Sequence, residues 1–385
     1  MKFDINIIQK ERDYQDYFYV TYDVASTVSI YDAAWNIALG QSVGNPTARS
    51  EWETPELFDN FCAKILFQEN LHTVQQGTVV IGYPLALIDW ATDGIAQLLC
   101  VMQGGQTDIA SVPRCRVIDL EFDPAFVQRT FLRPKYGNRG FRSFTNTYNK
   151  PFFGGIIKPK TGITPDTLLD MTKALVEGGV NFIKEDEIMS NPSVAPLEQR
   201  VEVISKYLQG KPVVYCYCIN SDPAHLMHRA QFVADNGGNG VHVNFWSGFG
   251  SYKSIREMDL PLYMHYQRSG VETITHPANP YGINWTVMCK LAAFCGVDTI
   301  HAGMWGGGYM AMSTEELHSV MNILHDNDVV PALSCGMKAS LVQPIVDEFG
   351  VDWMANVGGS IHSDPEGTYV GTQKMRAACD AVVVK

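Results

Sequence analysis

Asn181-Phe182-Ile183-Lys184-Glu185-Asp186-Glu187 is a short apolar approach that ends abruptly in one lysine and three acids. Upstream, Gly154-Gly155-Ile156-Ile157-Lys158-Pro159-Lys160 repeats the pattern with two lysines at its end. Strands that bury their bodies and crowd charge at their C-terminal tips are how a β/α-barrel active site looks in sequence. Two hard carboxylates beside a lysine also suit a Mg²⁺-like ion. That lysine has three possible roles: a base, a phosphate ligand or a modified metal ligand.

Working outward, the chain keeps one rhythm from Phe152 to its end. Apolar, β-branched runs recur at 155–160, 181–187, 213–220, 240–246, 260–266, 299–304, 330–336 and 353–359. Helical patterns fill most intervals, for example 164–176, with Thr164 as cap and Pro165 in the first turn, and 314–325. Eight strand candidates alternating with helices over roughly 230 residues match a (β/α)₈ TIM barrel. An open doubly wound sheet is the competitor, but no GxGxxG follows the first strand.

The first third reads differently. Tyr17-Phe18-Tyr19-Val20-Thr21-Tyr22 alternates, 79–85 reads as strand, and short amphipathic segments lie between, which suggests a compact α+β domain. The polar, glycine-bearing run Arg133–Gly140 reads as a linker. The expected organisation is an N-terminal α+β domain over 1–133 and a TIM barrel carrying the site over 134–385.

Composition narrows the function classes. Among 385 residues, 46% are hydrophobic and 18% charged, as in an ordinary globular enzyme. The net charge of −12, without any basic stripe, argues against a nucleic-acid partner. An acidic chain that binds an anion must concentrate its few lysines locally, and the two strand ends do so. The nine cysteines are scattered, and Cys216-x-Cys218 lacks the second pair a zinc set needs, so small buried residues in a reducing cytoplasm are expected. Met1-Lys2-Phe3-Asp4 carries no apolar signal core. The apolar stretch 79–102 is broken by Asp89 and Asp93, so no membrane span is expected.

Read in order, the barrel tips present Lys158 and Lys160, then Lys184, Asp186 and Glu187, then Asn220, Asn244, His265, His301, Ser334 and Gly358-Gly359. Taken singly each has a plain structural reading: a solvated lysine, a surface ion pair, a hydrogen-bonded histidine. Together at one end of successive strands, they describe metal-assisted proton chemistry on a phosphorylated substrate. Glycines at the last two tips let backbone N–H groups approach phosphate oxygens. On an ideal strand Lys184 and Asp186 share a face and Glu187 points away, so convergence of all three requires the chain to turn at Asp186.

Gly155-Ile156-Ile157-Lys158-Pro159-Lys160-Thr161-Gly162, followed by Gly178-Gly179-Val180-Asn181-Phe182-Ile183-Lys184-Glu185-Asp186-Glu187, resembles the large subunit of ribulose-bisphosphate carboxylase/oxygenase (RuBisCO). Ile300-His301-Ala302-Gly303, Ser334-x-Gly336 and Gly358-Gly359 extend the resemblance over the whole barrel. Gly40-Gln41-Ser42-Val43-Gly44-Asn45 carries it more weakly into the family's N-terminal ferredoxin-like domain. The resemblance implies that Lys184 takes up CO₂ as a carbamate and joins Asp186 and Glu187 in holding Mg²⁺. It implies that Lys158 transfers protons beside Lys160, and that His265 and His301 are active-site histidines, the second near a phosphate. It implies substrate and phosphate contacts at Gly303, Ser334, Gly336, Gly358 and Gly359. It also implies a homodimer, or a multiple of dimers, with the site between subunits.

The departures bear on the reaction. A carboxylase carries a mobile lysine in the loop after the sixth strand, but here that loop reads Met304-Trp305-Gly306-Gly307-Gly308-Tyr309-Met310. The family's arginine after the fifth-strand histidine is Tyr266, with Arg268 two residues on. The family's N-terminal glutamate falls near Gly40 and its asparagine near Val101 or Met102. The chain thus resembles the RuBisCO-like proteins (form IV), and the expected activity is Mg²⁺-dependent enolisation or isomerisation of a phosphorylated ketose-like molecule. The base is expected to be the Lys184 carbamate or Lys158, the latter favoured for proton transfer. A diverged genuine carboxylase and a non-catalytic sugar-phosphate-binding protein are the alternatives.

Overall fold

The computed structural model describes residues 7–45, 50–308 and 311–384. The N-terminal start read for a signal core lies outside the described residues, as do Tyr309 and Met310 of the sixth loop. The described chain divides into two compact units: Met1–Phe131 with Val271–Leu291, and Leu132–Gly270 with Ala292–Lys385.

In the first unit, Tyr17–Ala25 pairs antiparallel with both Gln76–Pro84 and Arg114–Glu121, forming the centre of a six-stranded mixed sheet. The inward residues Phe18, Val20, Tyr22 and Val24 alternate with the more exposed Tyr17, Thr21, Asp23 and Ala25, the period expected of a strand with one face on a core. Tyr19 alone on the other face is buried, against Leu66 and Val80. The sheet's last strand, Tyr281–Ile283, comes from the stretch expected to be wholly barrel. Arg116 fixes this excursion: its guanidinium is buried and donates to the carbonyls of Thr275, His276 and Asn279. Three distant carbonyls converging on one side chain leave no local sequence signal.

The second unit is a closed parallel barrel of eight strands. They are β1 (Phe152–Ile156), β2 (Phe182–Lys184), β3 (Val214–Cys218) and β4 (Gly240–Asn244), then β5 (Tyr263–Gln267), β6 (Thr299–Gly303), β7 (Val330–Leu333) and β8 (Met354–Val357). β1 begins three residues earlier than read from sequence, so Lys158 and Lys160 lie beyond its tip rather than within it. The helix Pro165–Glu177 starts on the Thr164 cap, and Thr314–Asp326 on a Ser313/Glu316 capping box that satisfies two orphan N–H groups.

The supposed linker 133–140 is corrected by the structure. Its second half opens the helix Gly137–Thr145, whose Phe141 plugs the lower end of the barrel. Phe141 lies 4.5 Å from Phe152 and 5.1 Å from Tyr263 between ring centroids, and Phe182 lies 6.1 Å from Tyr263. Val214, Cys216, Val330, Ala332 and Met354 complete this apolar floor. Truncating one of its aromatics to alanine costs about 3–5 kcal/mol.

Side chains alternate along a strand, so the residues two and four positions beyond the floor also point inward. That step takes Phe182 to Lys184, Tyr263 to His265 and Gln267, Ala332 to Ser334, and Met354 to Asn356. The floor therefore sets which polar groups face one another above it. No helix among the described residues is long and apolar enough to cross a membrane.

Candidate active site

Lys158 reaches from beyond β1 to Asp186, with Nζ 2.5 Å from Oδ2. A Cβ on Gly358, at the tip of β8, would lie 3.4 Å from Lys158 Cε, in ordinary van der Waals contact, so the lysine's path runs directly beside this tip. His362 Nε2 donates to the Ile156 carbonyl at 2.9 Å and pins the chain just before the lysine. Burial holds His362 below the usual histidine range, and the Lys158 charge adds to this.

Lys184 is the last residue of β2 and is buried, its Nζ 3.3 Å from Glu187 Oε2. The required turn is present: the Met189 N–H donates to the Asp186 carbonyl at 3.0 Å, closing a turn over 186–189 that brings Glu187 back over the barrel. Burial alone would raise the Glu187 carboxyl, but the Lys184 charge and hydrogen bonds, one from Ser269, bring it down to about 2. Between these two inward groups, Glu185 points out of the barrel and is fully buried against Arg200. Tyr215 Oη at 3.1 Å and the Cys218 N–H at 2.8 Å also donate to it. Of the three acids in the decisive stretch, one therefore belongs to the scaffold.

The two expected histidines both lie inside the barrel. His265 is wholly buried, with neither ring nitrogen hydrogen-bonded, and burial together with Lys184 and His301 drives it well below its ordinary range. His301 is held at about 3, by burial first and then by the charges of Arg268 and Lys184, against a smaller opposing pull from Glu187. Its Nε2 meets the Ser334 hydroxyl in a short hydrogen bond, with Cys335 Sγ 3.7 Å away. Both rings are therefore neutral at pH 7.

The remaining predicted residues are more spread out. Lys160 is exposed beyond the tip of β1. Gly303 ends β6 at φ +140°, where a Cβ would overlap Met312 Sδ. Gly359 opens a four-residue helix, and a Cβ there would meet nothing within 4 Å. Gly336 lies against the sixth loop: a Cβ on it would come 2.7 Å from Gly308 Cα, and one on Gly308 would overlap the Cys335 carbonyl oxygen. That loop is tied at its base, where Met304 bridges Ala311 and Trp305 Nε1 donates to Thr314 Oγ1 at 3.0 Å.

Tyr266, expected from sequence at the family's arginine position, faces out of the barrel, its ring 5.0 Å from Tyr252 and 5.9 Å from Phe249. Arg268 is the cation that approaches His301 and Gly303, donating to the Ala302 carbonyl at 3.1 Å. In the first unit, Gly40 closes the helix Ile30–Gly40, and Val101 and Met102 are buried in Gly94–Gln103.

Two site residues escaped the sequence reading. Gln267 donates Nε2 to Glu187 Oε2 at 2.8 Å. The fifth apolar run reads only as far as Tyr266, one residue short of the strand's end, although alternation from His265 points to position 267. His242 is buried 6.2 Å from His265 between ring centroids, with both nitrogens unbonded. A cleft of about 1040 Å³ lies elsewhere in this unit, along the helix Leu197–Leu208 and the turn 237–239. None of the strand-tip residues lines it, so it is not the chemical centre.

The donor set fits a hard divalent cation in part. Asp186 Oδ1 is buried without a hydrogen-bond partner, and a carboxylate oxygen in that state suits Mg²⁺. Among the described residues, no three His, Cys, Asp or Glu side chains group as a ready-made metal site. Asp186 and Glu187 would supply two anionic corners of such a site, and Lys184 would fit as the third once it carried an anionic carbamate.

Comparisons with known proteins agree with this geometry. Residues 139–329 match the model of the ribulose bisphosphate carboxylase large chain, catalytic domain. The chain is 29% identical to the ribulose bisphosphate carboxylase of Pyrococcus furiosus, over 92% of this chain and 86% of that one. It superimposes on the octameric Rubisco of Pyrococcus horikoshii with a TM-score of 0.89 at 26% identity, covering 97% of this chain and 90% of that one. A rubisco-like protein from Burkholderia fungorum gives 0.82, also at 26% identity, over 95% and 94% of the two chains. The alternating inward register, the Lys-Glu-Asp-Glu tip and these matches lead to one conclusion: the chain belongs to the RuBisCO large-chain superfamily.

Proposed function

We propose that this chain is a RuBisCO-like enzyme that removes a proton alpha to the ketone of a phosphorylated, sugar-derived substrate, as a Mg²⁺-dependent enolase or isomerase, and does not fix CO₂. The observation that supports the reading is the two ion pairs at neighbouring strand ends, Lys158 with Asp186 and Lys184 with Glu187, with Gly308 packed against the Cys335 carbonyl where the family's loop lysine would stand. Mg²⁺, when bound, would supply Lewis-acid polarisation of the substrate carbonyl.

The protein's own groups divide the remaining work. Lys184, 2% exposed, is out of reach of a substrate and suits the carbamate and metal-holding role beside Asp186 and Glu187. Lys158, 31% exposed, lies at the mouth and suits proton transfer at Nζ once it leaves Asp186. General acid–base help of this kind is worth about 10²–10⁴ in rate. Neutral His301, bonded to Ser334, can pass a proton through Nε2 without carrying a resident charge into the site. Gly359, Gly358 and Gly336 would place backbone near the phosphate, with Lys160 adding charge at the rim. Assembly as a homodimer or a multiple of dimers belongs to the same proposal, and the P. horikoshii relative is octameric.

A second reading, a diverged genuine carboxylase, is favoured by the archaeal carboxylases among the relatives. One pair of experiments separates the two. Deuterium exchange in D₂O into a panel of ketose phosphates, with Mg²⁺ and bicarbonate, is expected for wild type and lost in Lys158→Met. Labelled bicarbonate with ribulose bisphosphate is expected to give no fixed product. Robust fixation would establish the carboxylase, whereas binding of ketose phosphates without any exchange would leave a non-catalytic binding protein.

A further inference from the structure

Gln267 is the last inward residue of β5, and both ends of its amide are engaged. Nε2 donates to Glu187 Oε2 at 2.8 Å, and Oε1 accepts from the Ser269 N–H at 2.5 Å. The Ser269 carbonyl in turn accepts from Asn244 Nδ2 at 2.9 Å. The Asn244 N–H donates to Asn220 Oδ1 at 2.7 Å, and Asn220 Nδ2 donates to the Glu187 carbonyl at 2.9 Å. The contacts close a ring that leaves Glu187 by its side chain and returns by its backbone, crossing the tips of β3, β4 and β5. Every group between the two ends is neutral.

The charge of the opposite neighbour is what gives this ring a role. Lys184 Nζ also holds Glu187 Oε2, at 3.3 Å, as a cation against an anion. On the reading that Lys184 becomes a carbamate, the same pair becomes anion against anion and the attraction turns to repulsion. A neutral amide donor keeps its sign through that change. We propose that Gln267 is a positioning residue for the metal site, holding Glu187 in place both before and after Lys184 changes charge. The inference rests on the carbamate and Mg²⁺ reading above, and Gln267 acts only through Glu187.

The tests use the full chain. Isothermal titration of Mg²⁺ in bicarbonate is expected to show Gln267→Met binding about 10–100-fold more weakly than wild type, the usual effect of losing a partner that orients a metal ligand. Thermal unfolding without metal is expected to remain one cooperative transition lowered by only a few degrees, from the loss of two hydrogen bonds of a buried side chain, which separates positioning from loss of the fold. Crystals of wild type soaked with Mg²⁺ and bicarbonate should keep the Gln267–Glu187 bond while Lys184 Nζ leaves Glu187. A change in affinity below twofold, or loaded crystals in which Glu187 has left Gln267, overturns the proposal while the metal site stands. If wild type takes up neither Mg²⁺ nor CO₂, the metal reading itself fails. Metal-free crystals of Gln267→Met then decide the positioning role: a displaced Glu187 upholds it and an unmoved one refutes it.

Discussion

Arg200→Met should cost this protein more stability than any surface change. Arg200 is fully buried, and its guanidinium faces the Glu185 carboxylate and the Ser190 carbonyl while Nε donates to the Ala195 carbonyl at 2.9 Å. Burial alone would lower this guanidinium, and the Glu185 charge more than reverses that. Methionine leaves Glu185 in the interior with two neutral donors, Tyr215 Oη and the Cys218 N–H. Removing one partner of a buried pair costs about 3–5 kcal/mol. The two surviving donors favour the lower half of that range, about 3–4 kcal/mol. For a unit of this size, about 2–4 °C per kcal/mol converts this to a fall in Tm of about 6–16 °C. Scanning calorimetry in metal-free buffer measures it. The double variant Glu185→Gln/Arg200→Met removes both charges and should recover about 2 kcal/mol relative to the sum of the single changes. A single-variant shift under about 2 °C, or strict additivity of the pair, would refute the claim that Glu185 is a buried charge held by Arg200.

Three further outcomes follow from the site. Gly308→Lys should not confer carboxylation and should lower the melting temperature, because position 308 sits at φ +100° with its Cβ directed into the Cys335 carbonyl; labelled-bicarbonate assays and a melt check both halves. Asp186→Asn should weaken Mg²⁺ in a titration with bicarbonate, and unchanged affinity would remove Asp186 from the metal site. Folded His301 sits at about 3 against 6.5 for the free side chain, so its stabilisation is full above pH 6.5 and is lost as pH falls toward 3. Glu187, at about 2 against 4.5, adds a second loss between pH 4.5 and 2. Melts of His301→Asn should therefore make the first fall shallower, with buried His265, His242 and His362 still contributing to it, and leave the second.

The barrel was legible because its evidence is local. Eight apolar runs at regular intervals, with charge at their ends, state both the strands and the end on which they open. Lys158, Lys184, Asp186, Glu187, His265, His301 and Ser334 lie at strand ends given by the same periodicity, and the turn at Asp186 follows from strand alternation once Lys184, Asp186 and Glu187 are required to converge. Errors came where a boundary moved by a residue or two. Ending the fifth run at Tyr266 hid Gln267, and reading 133–140 as linker hid the helix that supplies Phe141.

Contacts between distant segments lay beyond the sequence. The stretch 271–291 reads as part of the barrel, yet Arg116 and Tyr281–Ile283 tie it to the N-terminal sheet, a choice made by carbonyls far along the chain from the arginine that gathers them. Glu185 looks as much like a metal ligand as its neighbours until the fold sets Arg200 behind it. Gly308 looks like a flexible glycine until the β7 tip comes against it. Sequence by itself determined the periodicity, and with it the barrel and the set of inward-facing charges, because alternation is a property of neighbouring residues. Tertiary structure alone decided which charge is neutralised and by whom, because in a low-dielectric interior a group's role is set by partners the chain brings to it from elsewhere.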